Sequence, residues 1–286
     1  MKVLITGAEG MLGRTLCNHL QGVEVIATNR SNADITDAKQ FDDCINQYKP
    51  DVVIHCAAMT AVDCCESEID LAYKVNVIGT TNVAASCHRH GVKLIAISTD
   101  YVFDGNLNRP YTEFDLATGG GCVYGQSKWA AEEAVRVHCP NHIIARVSWL
   151  YGAGGPSFVH TMLRLADGSR PILKVVNDQK GNPTSTIAVC RKIQELLLKP
   201  ELVGTYHLTC EGEATWYEFA NKIFEFSGVN QKVVSCSSDE FPTKARRPHN
   251  SCLDKLKLRL VGLSPMPHWE NELYSFLQSE MDSTEN

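Results

Sequence analysis

The chain has 286 residues, 44% of them hydrophobic, and a formal charge of −6, which is enough material for one large domain or two of modest size. The acidic balance argues against binding to nucleic acid or to an anionic membrane surface, and no apolar run is long enough to span a bilayer. A strand begins at once, which leaves no room for a signal peptide. The twelve cysteines are scattered and contain no Cys-x-x-Cys, so we expect reduced, mostly buried thiols in a cytoplasmic protein that requires no metal.

Short apolar strands alternate with helices along the first half of the chain. The pattern predicts strands at 2–6, 23–28, 51–56, 92–98 and 142–149, and helices after the first strand and at 37–48, 67–90 and 126–138. In the helix at 67–90, Leu71, Val75 and Ile78 are expected to face inward. Continuous Val, Ile and Leu strands separated by helices are typical of a parallel sheet covered on both faces. The predicted fold class is therefore α/β, with a Rossmann-like, doubly wound parallel sheet.

A glycine-rich stretch at 152–155 is the predicted domain boundary. Residues 1–151 would form an NAD(P)-binding Rossmann domain. Residues 152–286 have shorter elements rich in His, Arg and Pro, and would form mainly a smaller C-terminal substrate-binding lobe, with segments that return to the first domain. The last residues, 283–286, are expected to fray.

The first strand is followed by the glycine turn Gly7-Ala8-Glu9-Gly10-Met11-Leu12-Gly13 and then by leucines at helical spacing. Strand, glycine turn and helix together make a dinucleotide-binding fingerprint. Bare glycines let the backbone approach a pyrophosphate, and the start of a helix offers free N–H groups to its negative charge. The spacing is Gly-x-x-Gly-x-x-Gly rather than the commoner Gly-x-Gly-x-x-Gly, but its context favours a cofactor site.

Tyr124 and Lys128 are four residues apart in a predicted helical region, so they share one face. A free tyrosine has a pKa near ~10 and is a poor proton donor or acceptor at neutral pH. A neighbouring ammonium favours the phenolate, and we therefore expect Lys128 to lower the pKa of Tyr124 toward the working range. The pair predicts a site that moves a proton to or from an oxygen atom.

The end of the second strand, Thr28-Asn29-Arg30-Ser31, indicates which nicotinamide cofactor is used. NAD-selective sites place a carboxylate there for the ribose 2′-hydroxyl, whereas NADP sites need a cation for the 2′-phosphate. The segment lacks the carboxylate and has Arg30, which Arg14 could assist. NADPH is therefore the predicted cofactor, with NADH accepted as an alternative.

These residues belong to a set of motifs that runs nearly the length of the chain. The set consists of Gly7-x-x-Gly10-x-x-Gly13, His55-Cys-Ala-Ala-Met-Thr-Ala-Val-Asp63, Val75-Asn76-x-x-Gly79, Ser98-Thr-Asp-Tyr-Val-Phe103, Tyr124-Gly-x-x-Lys128, Arg146-Val-Ser-Trp-Leu-Tyr151, Asn177-Asp-Gln-x-Gly-x-Pro-Thr184, Gly204-Thr-Tyr-His207 and Arg247-Pro-x-x-Ser251. With them the chain resembles the extended short-chain dehydrogenase/reductases, and most closely the dTDP-4-dehydrorhamnose reductases of nucleotide-sugar biosynthesis. The motifs at 98–103 and 177–184 are the most specific to that group.

The resemblance implies an oxidoreductase that uses NADPH to reduce the C4 ketone of dTDP-4-dehydro-β-L-rhamnose to dTDP-L-rhamnose. Tyr124 would protonate the developing alkoxide, Lys128 would hold the nicotinamide ribose, and Thr99 would orient the carbonyl oxygen. The implied cofactor-binding residues are Gly7, Gly10, Met11, Leu12, Gly13, Asn29, Arg30, Asp34, Ile35, Cys56, Ala57, Ala58, Thr60, Asn76, Tyr124 and Lys128. The implied substrate-binding residues are Thr60, Val62, Asp100, Trp149, Asn177, Gln179 and Arg247.

Several of these roles have open alternatives. Trp149 could stack on the sugar or fill the floor of the crevice. Arg247 could bind the diphosphate through bidentate contacts or pair with a carboxylate of the chain. Asn76 would brace the sheet and a water near the site, or be an ordinary helix asparagine.

The chain also departs from the family pattern. Gly119, Gly120 and Gly121 precede the tyrosine where the family often has proline and asparagine, and they are expected to add backbone freedom near the substrate. Some family members form a metal-linked dimer through a glutamate two positions after the third glycine. Thr15 stands there, although Glu270 remains, so a monomer or a homodimer without metal is expected.

Rival functions share the Tyr/Lys pair. Dehydratases of nucleotide sugars carry an acidic pair after the threonine, whereas Asp100 is followed by Tyr101. Epimerases retain tightly bound NAD, which does not fit Arg30. A reductase of another nucleotide 4-keto-6-deoxysugar stays open, as does a non-catalytic role like that of the regulatory subunit of methionine adenosyltransferase.

Overall fold

The computed structural model describes residues 1–284. The expected fraying at 283–286 therefore falls partly on residues 285 and 286, which lie outside the described range. The strands in chain order are β1 Lys2–Thr6, β2 Glu24–Ala27, β3 Val52–His55, β4 Lys93–Thr99, β5 His142–Val147, β6 Leu150–Tyr151, β7 Ile172–Val176, β8 Lys180–Gly181, β9 Thr184–Ser185, β10 Gly204–His207, β11 Ala214–Thr215 and β12 Lys232–Cys236.

The helices alternate with these strands. In chain order they are α1 Met11–His19, α2 Ala38–Tyr48, α3 Val62–Cys65, α4 Ile69–Tyr73, α5 Thr80–Arg89, α6 Val123–His138, α7 Phe158–Leu165, α8 Thr186–Leu197, α9 Trp216–Ser227, α10 Leu256–Leu260 and α11 Trp269–Thr284. A π-helix, Lys74–Gly79, joins α4 to α5, and single 3₁₀ turns lie at Asp100–Val102 and Ser238–Glu240. The predicted start of α2 is confirmed, because the Asp37 side chain accepts hydrogen bonds from the N–H groups of Lys39 and Gln40.

Six parallel strands form the central sheet in the order β10-β5-β4-β3-β1-β2. Successive side chains point to opposite faces, so Val3 and Ile5 enter one core cluster while Leu4 enters the other. The predicted doubly wound α/β class is confirmed. The order reverses between β1 and β3, and ligands of such sheets bind at the carboxyl ends of the strands beside that point.

The outermost strand β10 comes from residues beyond the glycine-rich stretch at 152–155. It pairs in parallel with β5, from Gly204 opposite Ile143 to His207 opposite Arg146. The remaining strands form three small sheets of two strands each, in one of which β6, just before the glycine-rich stretch, pairs with β9. One large core cluster contains side chains from both halves, including Leu16 of α1 and Leu273 of α11.

The predicted inward face of the helix at 67–90 is wrong for two of its three residues. Leu71 and Ile78 are 43% and 53% exposed, whereas Val75 packs partly buried against the second core cluster. The π-helix adds a residue to one turn and so rotates the residues that follow it. The buried positions are taken instead by small or polar side chains, among them Ala72 and Asn76, which let neighbouring elements approach closely.

Most of the cysteines are buried, as predicted. All twelve are free, and Cys64 is the exposed one. No group of three or more His, Cys, Asp or Glu side chains in the described part of the chain could hold a metal ion. Among residues 1–284, no helix is both long and apolar enough to cross a membrane.

Candidate active site

Thr99, Tyr124 and Lys128 meet where β4 ends and α6 begins. Thr99 is the last residue of β4. Helix α6 begins at Val123, three residues earlier than predicted, so both Tyr124 and Lys128 lie on it. Cys122 caps this helix, with its Sγ accepting a hydrogen bond from the N–H of Gly125 at 3.4 Å. Strand end and helix start therefore hold the three candidate catalytic side chains on one side of the sheet.

The three side chains are tied to the protein around them. The Tyr124 hydroxyl hydrogen-bonds Thr99, and the Tyr124 ring packs edge-on against Tyr101 with centroids 5.7 Å apart. Thr99 Oγ1 donates to Asp100 Oδ1 at 3.0 Å. Lys128 Nζ donates to the carbonyl oxygen of Ile97 at 2.8 Å. This arrangement fixes the phenol beside the threonine hydroxyl.

The predicted lowering of the Tyr124 pKa is wrong in sign. Burial raises the pKa of Tyr124 above its ordinary value, because a phenolate is poorly solvated there, and the Thr99 hydrogen bond only partly opposes this. The Lys128 ammonium is bonded to Ile97 and does not contact the phenol. Tyr124 is therefore protonated at neutral pH, which is the state that a proton donor requires.

Lys128 and Asp100 have altered pKa values for the same physical reason. Burial lowers the pKa of Lys128 to about 8, while the nearby Glu132 carboxylate raises it. The lysine thus keeps its charge at neutral pH. Asp100 is 2% exposed, and burial raises its pKa to about 6. The site therefore holds one ammonium, one protonated phenol and one carboxyl group that titrates near physiological pH.

The glycine turn is built for close backbone approach. A Cβ on Gly13 would lie 2.2 Å from the Gly7 carbonyl oxygen, and one on Gly7 would lie 2.7 Å from the Ala57 nitrogen. Gly10 caps α1 without any side-chain hydrogen bond, and the only atom near a Cβ built there is the Gly7 oxygen at 3.3 Å. The first N–H groups of α1, at Met11 and Leu12, therefore receive no hydrogen bond from a capping side chain, which fits the pyrophosphate of a dinucleotide.

Other predicted cofactor residues line the neighbouring strand ends. Cys56, Ala57 and Ala58 follow β3, and the N–H of Ala57 lies 3.3 Å from Thr6 Oγ1. Asn76 is fully buried, and its side chain is hydrogen-bonded within the protein. Its Oδ1 accepts from the N–H of Met59 at 2.8 Å, and its Nδ2 donates to Ser127 Oγ at 3.0 Å. It braces the segment after β3 against α6. No cofactor contact remains for its amide.

Ile35 also faces the protein. Its side chain is buried and packs directly onto Gly79. Asp34 Oδ1 accepts a hydrogen bond from the N–H of Thr36 at 2.9 Å.

Charges of both signs surround the end of β2. Arg30 is 89% exposed, and its Nε lies 3.5 Å from Asp34 Oδ2. Asn29 Nδ2 donates to Glu9 Oε1 at 2.6 Å. The segment after β2 has no carboxylate of its own before Asp34, but the glycine turn brings Glu9 beside it. The exposed Arg30 cation suits a 2′-phosphate. The glycine motif alone did not identify Glu9 as a residue of this site.

A cavity of about 980 Å³ opens beside Tyr101. Four of the predicted substrate residues line it: Thr60, Val62, Gln179 and Arg247. Its far wall is the segment of residues 238–249, which adds Arg246 and His249, while Lys174 faces it from β7. Because several basic side chains line one cavity, their positive charges could bind the negative charges of a diphosphate.

Arg247 does pair with a carboxylate. Its Nη2 lies 2.9 Å from Asp63 Oδ2, and it also hydrogen-bonds Tyr101. Asp63 Oδ1 accepts the N–H of Ala245 at 3.0 Å. Asp63 thus ties the 238–249 segment to the region after β3. Arg246 is exposed and has no ion pair with any described residue.

The other three predicted substrate residues lie behind the cavity. Trp149 stacks on Trp216 with ring centroids 3.4 Å apart and packs on Gly181, where a Cβ would meet the indole at 2.3 Å. The geometry matches the crevice floor rather than a sugar-stacking ring. Asn177 accepts from Thr215 Oγ1 at 2.7 Å and does not line the cavity. Asp100 is buried and does not line the cavity.

The glycines before Tyr124 provide close packing rather than the expected freedom. Gly120 has φ +62°, and a Cβ there would lie 2.2 Å from the Tyr101 carbonyl oxygen. A Cβ on Gly121 would lie 3.2 Å from Cδ of Arg246. The expectation of a loose loop is therefore wrong, because the absent side chains are what allow this loop to press against the end of β4 and the Arg246 stem.

A family model described as RmlD substrate binding domain matches residues 1–281. The chain belongs to this family. The dTDP-4-dehydrorhamnose reductase of Aggregatibacter actinomycetemcomitans is 41% identical over 288 residues, covering 95% of this chain and 97% of that protein. The dTDP-4-keto-6-deoxy-D-glucose reductase of Streptomyces niveus is 37% identical over 274 residues, covering 94% of each.

A comparison with solved structures points to the same family as the sequence comparisons. The dTDP-4-dehydrorhamnose reductase of Bacillus anthracis, crystallised with NADP, has a TM-score of 0.94 and 40% identity, covering 97% of this chain and 99% of that one. The predicted resemblance is confirmed over nearly the whole length.

Thr15 occupies the position where some family members have the glutamate of a metal-linked dimer. Its Oγ1 donates a hydrogen bond to Thr186 Oγ1 at 2.8 Å. Glu270, the other carboxylate considered for such a dimer, lies 3.5 Å from Lys222.

Proposed function

We propose that this protein uses NADPH to reduce the C4 ketone of dTDP-4-dehydro-β-L-rhamnose, giving dTDP-L-rhamnose. The observation that carries the proposal is the group of Thr99, Tyr124 and Lys128 at the end of β4, in a chain that belongs throughout to the RmlD family. The Bacillus anthracis relative binds NADP, and the Aggregatibacter relative bears the name of this reaction. NADPH supplies the hydride that adds to the carbonyl carbon.

Tyr124 supplies the proton that completes the reduction. As hydride reaches the carbonyl carbon, negative charge develops on the ketone oxygen and must be neutralised. The Tyr124 phenol is protonated because of its burial and is held beside Thr99. Its O–H bond breaks as the alkoxide takes the proton, and solvent later restores the phenol. A general acid of this kind contributes about 10²–10⁴-fold in rate.

Thr99 and Lys128 support that transfer. The Thr99 hydroxyl lies next to the phenol, and by turning its single O–H from Asp100 to the ketone oxygen it would orient that oxygen toward the phenol. Lys128 keeps its positive charge at neutral pH, and this charge favours both the developing phenolate and the ribose hydroxyls of the cofactor. The glycine turn and the uncapped start of α1 hold the pyrophosphate.

The nucleotide diphosphate of the substrate occupies the cavity of about 980 Å³. Arg246 is the cation best placed for it, since it is not engaged in an ion pair, while Arg247 is shared with Asp63. Gln179 is hydrogen-bonded to Trp216 and Ser238 and so shapes the wall.

Reduction of a related 4-keto-6-deoxysugar nucleotide is the second candidate. The Streptomyces niveus relative, which matches 94% of this chain, is named for such a substrate. The two reactions use the same hydride and proton transfers, so the fit of the sugar decides between them.

The decisive experiment is an NADPH-consumption assay with several dTDP-4-keto-6-deoxysugars, followed by NMR identification of the products. We expect the highest kcat/KM with dTDP-4-dehydro-β-L-rhamnose and dTDP-L-rhamnose as the product. Preference for the glucose-configured ketone would establish the second candidate. Failure to oxidise NADPH with every ketone would reject catalysis and support a regulatory role.

A further inference from the structure

Glu132 has a buried carboxylate with four strong hydrogen bonds, although no motif points to it. Its side chain is 2% exposed. Oε1 accepts from Ser98 Oγ at 2.6 Å and from Arg146 Nε at 2.8 Å. Oε2 accepts from Arg146 Nη2 at 2.7 Å and from Arg136 Nη2 at 2.8 Å. The Arg146 contact is bidentate, which is the most directional form of ion pair.

These bonds join the two elements that carry the candidate catalytic residues. Ser98 immediately precedes Thr99 at the end of β4. Glu132 lies one helical turn after Lys128 on the same face of α6. Arg146, on β5, is 2% exposed and also reaches His207 of β10 and the ring of Phe103. One carboxylate therefore links α6 to three neighbouring strands of the sheet.

Glu132 is also the main charged neighbour of Lys128. The Glu132 charge raises the lysine pKa against the effect of burial, which holds it at about 8. Arg146 and Arg136 hold Glu132 ionised, and its pKa is lowered to about 2. The titratable groups that face Lys128 from β3 are neutral at physiological pH, since burial lowers the pKa of His55 to about 3 and raises that of Cys56 to about 12.

We propose that Glu132 is a positioning residue for the reductase reaction: bonded to Ser98 and Arg146, its carboxylate sets α6, and with it Lys128, against the end of β4. The inference rests on the proposed function, because it assigns Glu132 to the same catalytic group. A buried ion pair is weak evidence of stabilisation, since apolar side chains of similar volume often serve equally well. What gives this pair a role is its bond to Ser98, the residue before Thr99, and its place one helical turn after Lys128.

The test compares Glu132→Gln with Glu133→Gln. Glu133 is the next residue on the same helix, also pairs with Arg136, and is 49% exposed, so it is a matched control. Without the Glu132 charge the Lys128 pKa falls. We expect the basic limb of the pH profile of kcat/KM to move by about one unit or more to lower pH in Glu132→Gln, and to stay in place in Glu133→Gln.

Two further variants keep the test valid if Glu132→Gln does not fold because Arg146 loses its partner. Glu132→Gln combined with Arg146→Met leaves no unpaired buried charge, and we expect it to fold with a several-fold lower kcat. Ser98→Ala keeps both charges and breaks only the bond between Ser98 and Glu132, so kcat should fall several-fold with little change in KM. Thermal unfolding of each variant verifies that the protein is folded.

Folded Glu132 variants with the pH profile and kcat of Glu133→Gln would overturn the proposal, as would wild-type kcat in Ser98→Ala. A failure of the proposed function is distinguishable, because it affects the wild-type protein. If the wild type reduces no ketone, the pH dependence of NADPH binding, followed by fluorescence, still measures the Lys128 charge. As the pH is raised, NADPH binding to Glu132→Gln should then weaken at a lower pH than NADPH binding to the wild type.

Discussion

The catalytic group and the 238–249 segment face the same space but are built in opposite ways. Thr99 and Lys128 are buried and Tyr124 is partly buried, and each is hydrogen-bonded to a neighbour in β4 or just after it. The 238–249 segment is largely exposed, and polar contacts, chiefly with Asp63 and Asp178, tie it to the rest of the protein. Rigid packing positions a proton, whereas an exposed polar wall admits a large charged substrate. Changes in the first region should therefore lower kcat, and changes in the second should raise KM.

The largest effect is expected for Tyr124→Phe. The ring remains, so its packing on Tyr101 is kept, but the proton donor is lost, and kcat should fall by about 10²–10⁴-fold. NADPH affinity, measured by fluorescence titration, should change little. Tyr101→Phe is the control, because it removes a neighbouring hydroxyl that bonds Arg247 and not the ketone. Near-normal turnover by Tyr124→Phe would contradict the role assigned to the phenol.

Gly120→Ala tests whether the loop before Tyr124 belongs to the rigid region. Its Cβ would lie 2.2 Å from the Tyr101 oxygen at φ +62°, so we expect the free energy of unfolding to fall by about 2–4 kcal/mol. Gly91→Ala has a similar φ of +69° and nothing within 4 Å, so only backbone strain of about 1–2 kcal/mol should appear. If chemical denaturation showed that Gly120→Ala and Gly91→Ala lose the same free energy of unfolding, the loop before Tyr124 would not be tightly packed.

Arg246→Ala tests the exposed region. Loss of its charge-assisted contacts with a diphosphate should raise the KM for the nucleotide sugar by about 10–100-fold, with kcat nearly unchanged. Arg170→Ala removes an exposed arginine that does not line the cavity and serves as the control. A fall in kcat at constant KM would mean that the wall takes part in positioning after all.

The smallest effect is expected at the end of β2. Arg30→Asp should reduce the preference for NADPH over NADH by about tenfold, because a carboxylate would repel the 2′-phosphate. Glu9→Gln should shift the preference the other way by a smaller factor, since Glu9 lies beside Asn29. The ratio of kcat/KM for the two cofactors measures both. An unchanged ratio in Arg30→Asp would exclude Arg30 from 2′-phosphate binding.

The sequence alone predicted the structure correctly where the pattern involved residues close together in the chain. Apolar strands, the glycine turn and the Tyr124–Lys128 spacing each depend on residues close together in the chain, and they predicted the parallel sheet and the placement of Tyr124 and Lys128 on one helix. Leu71 and Ile78 were misplaced because a π-turn changes the helical phase without an evident sequence signal. The sign of the Tyr124 pKa depends on burial by distant elements, which a spacing rule does not contain.

Long-range partners were equally hard to foresee. Glu132 bonds Arg146 and Ser98, and Asp63 bonds Arg247, 184 positions away. The sequence analysis named Arg247 and not Arg246 as a substrate-binding residue, although the adjacent pair before Pro248 could have suggested that both bind the diphosphate. Which of two adjacent arginines stays without an ion pair is decided by tertiary contacts alone.

The placement of β10 has a consequence for synthesis of the chain. Until residues 204–207 emerge from the ribosome, β5 is an unpaired edge, and four of the six residues in its sequence His-Ile-Ile-Ala-Arg-Val are apolar. Such an edge invites pairing with other chains. A fragment that stops near residue 151 should therefore aggregate, and the nascent protein is open to the same pairing across this interval.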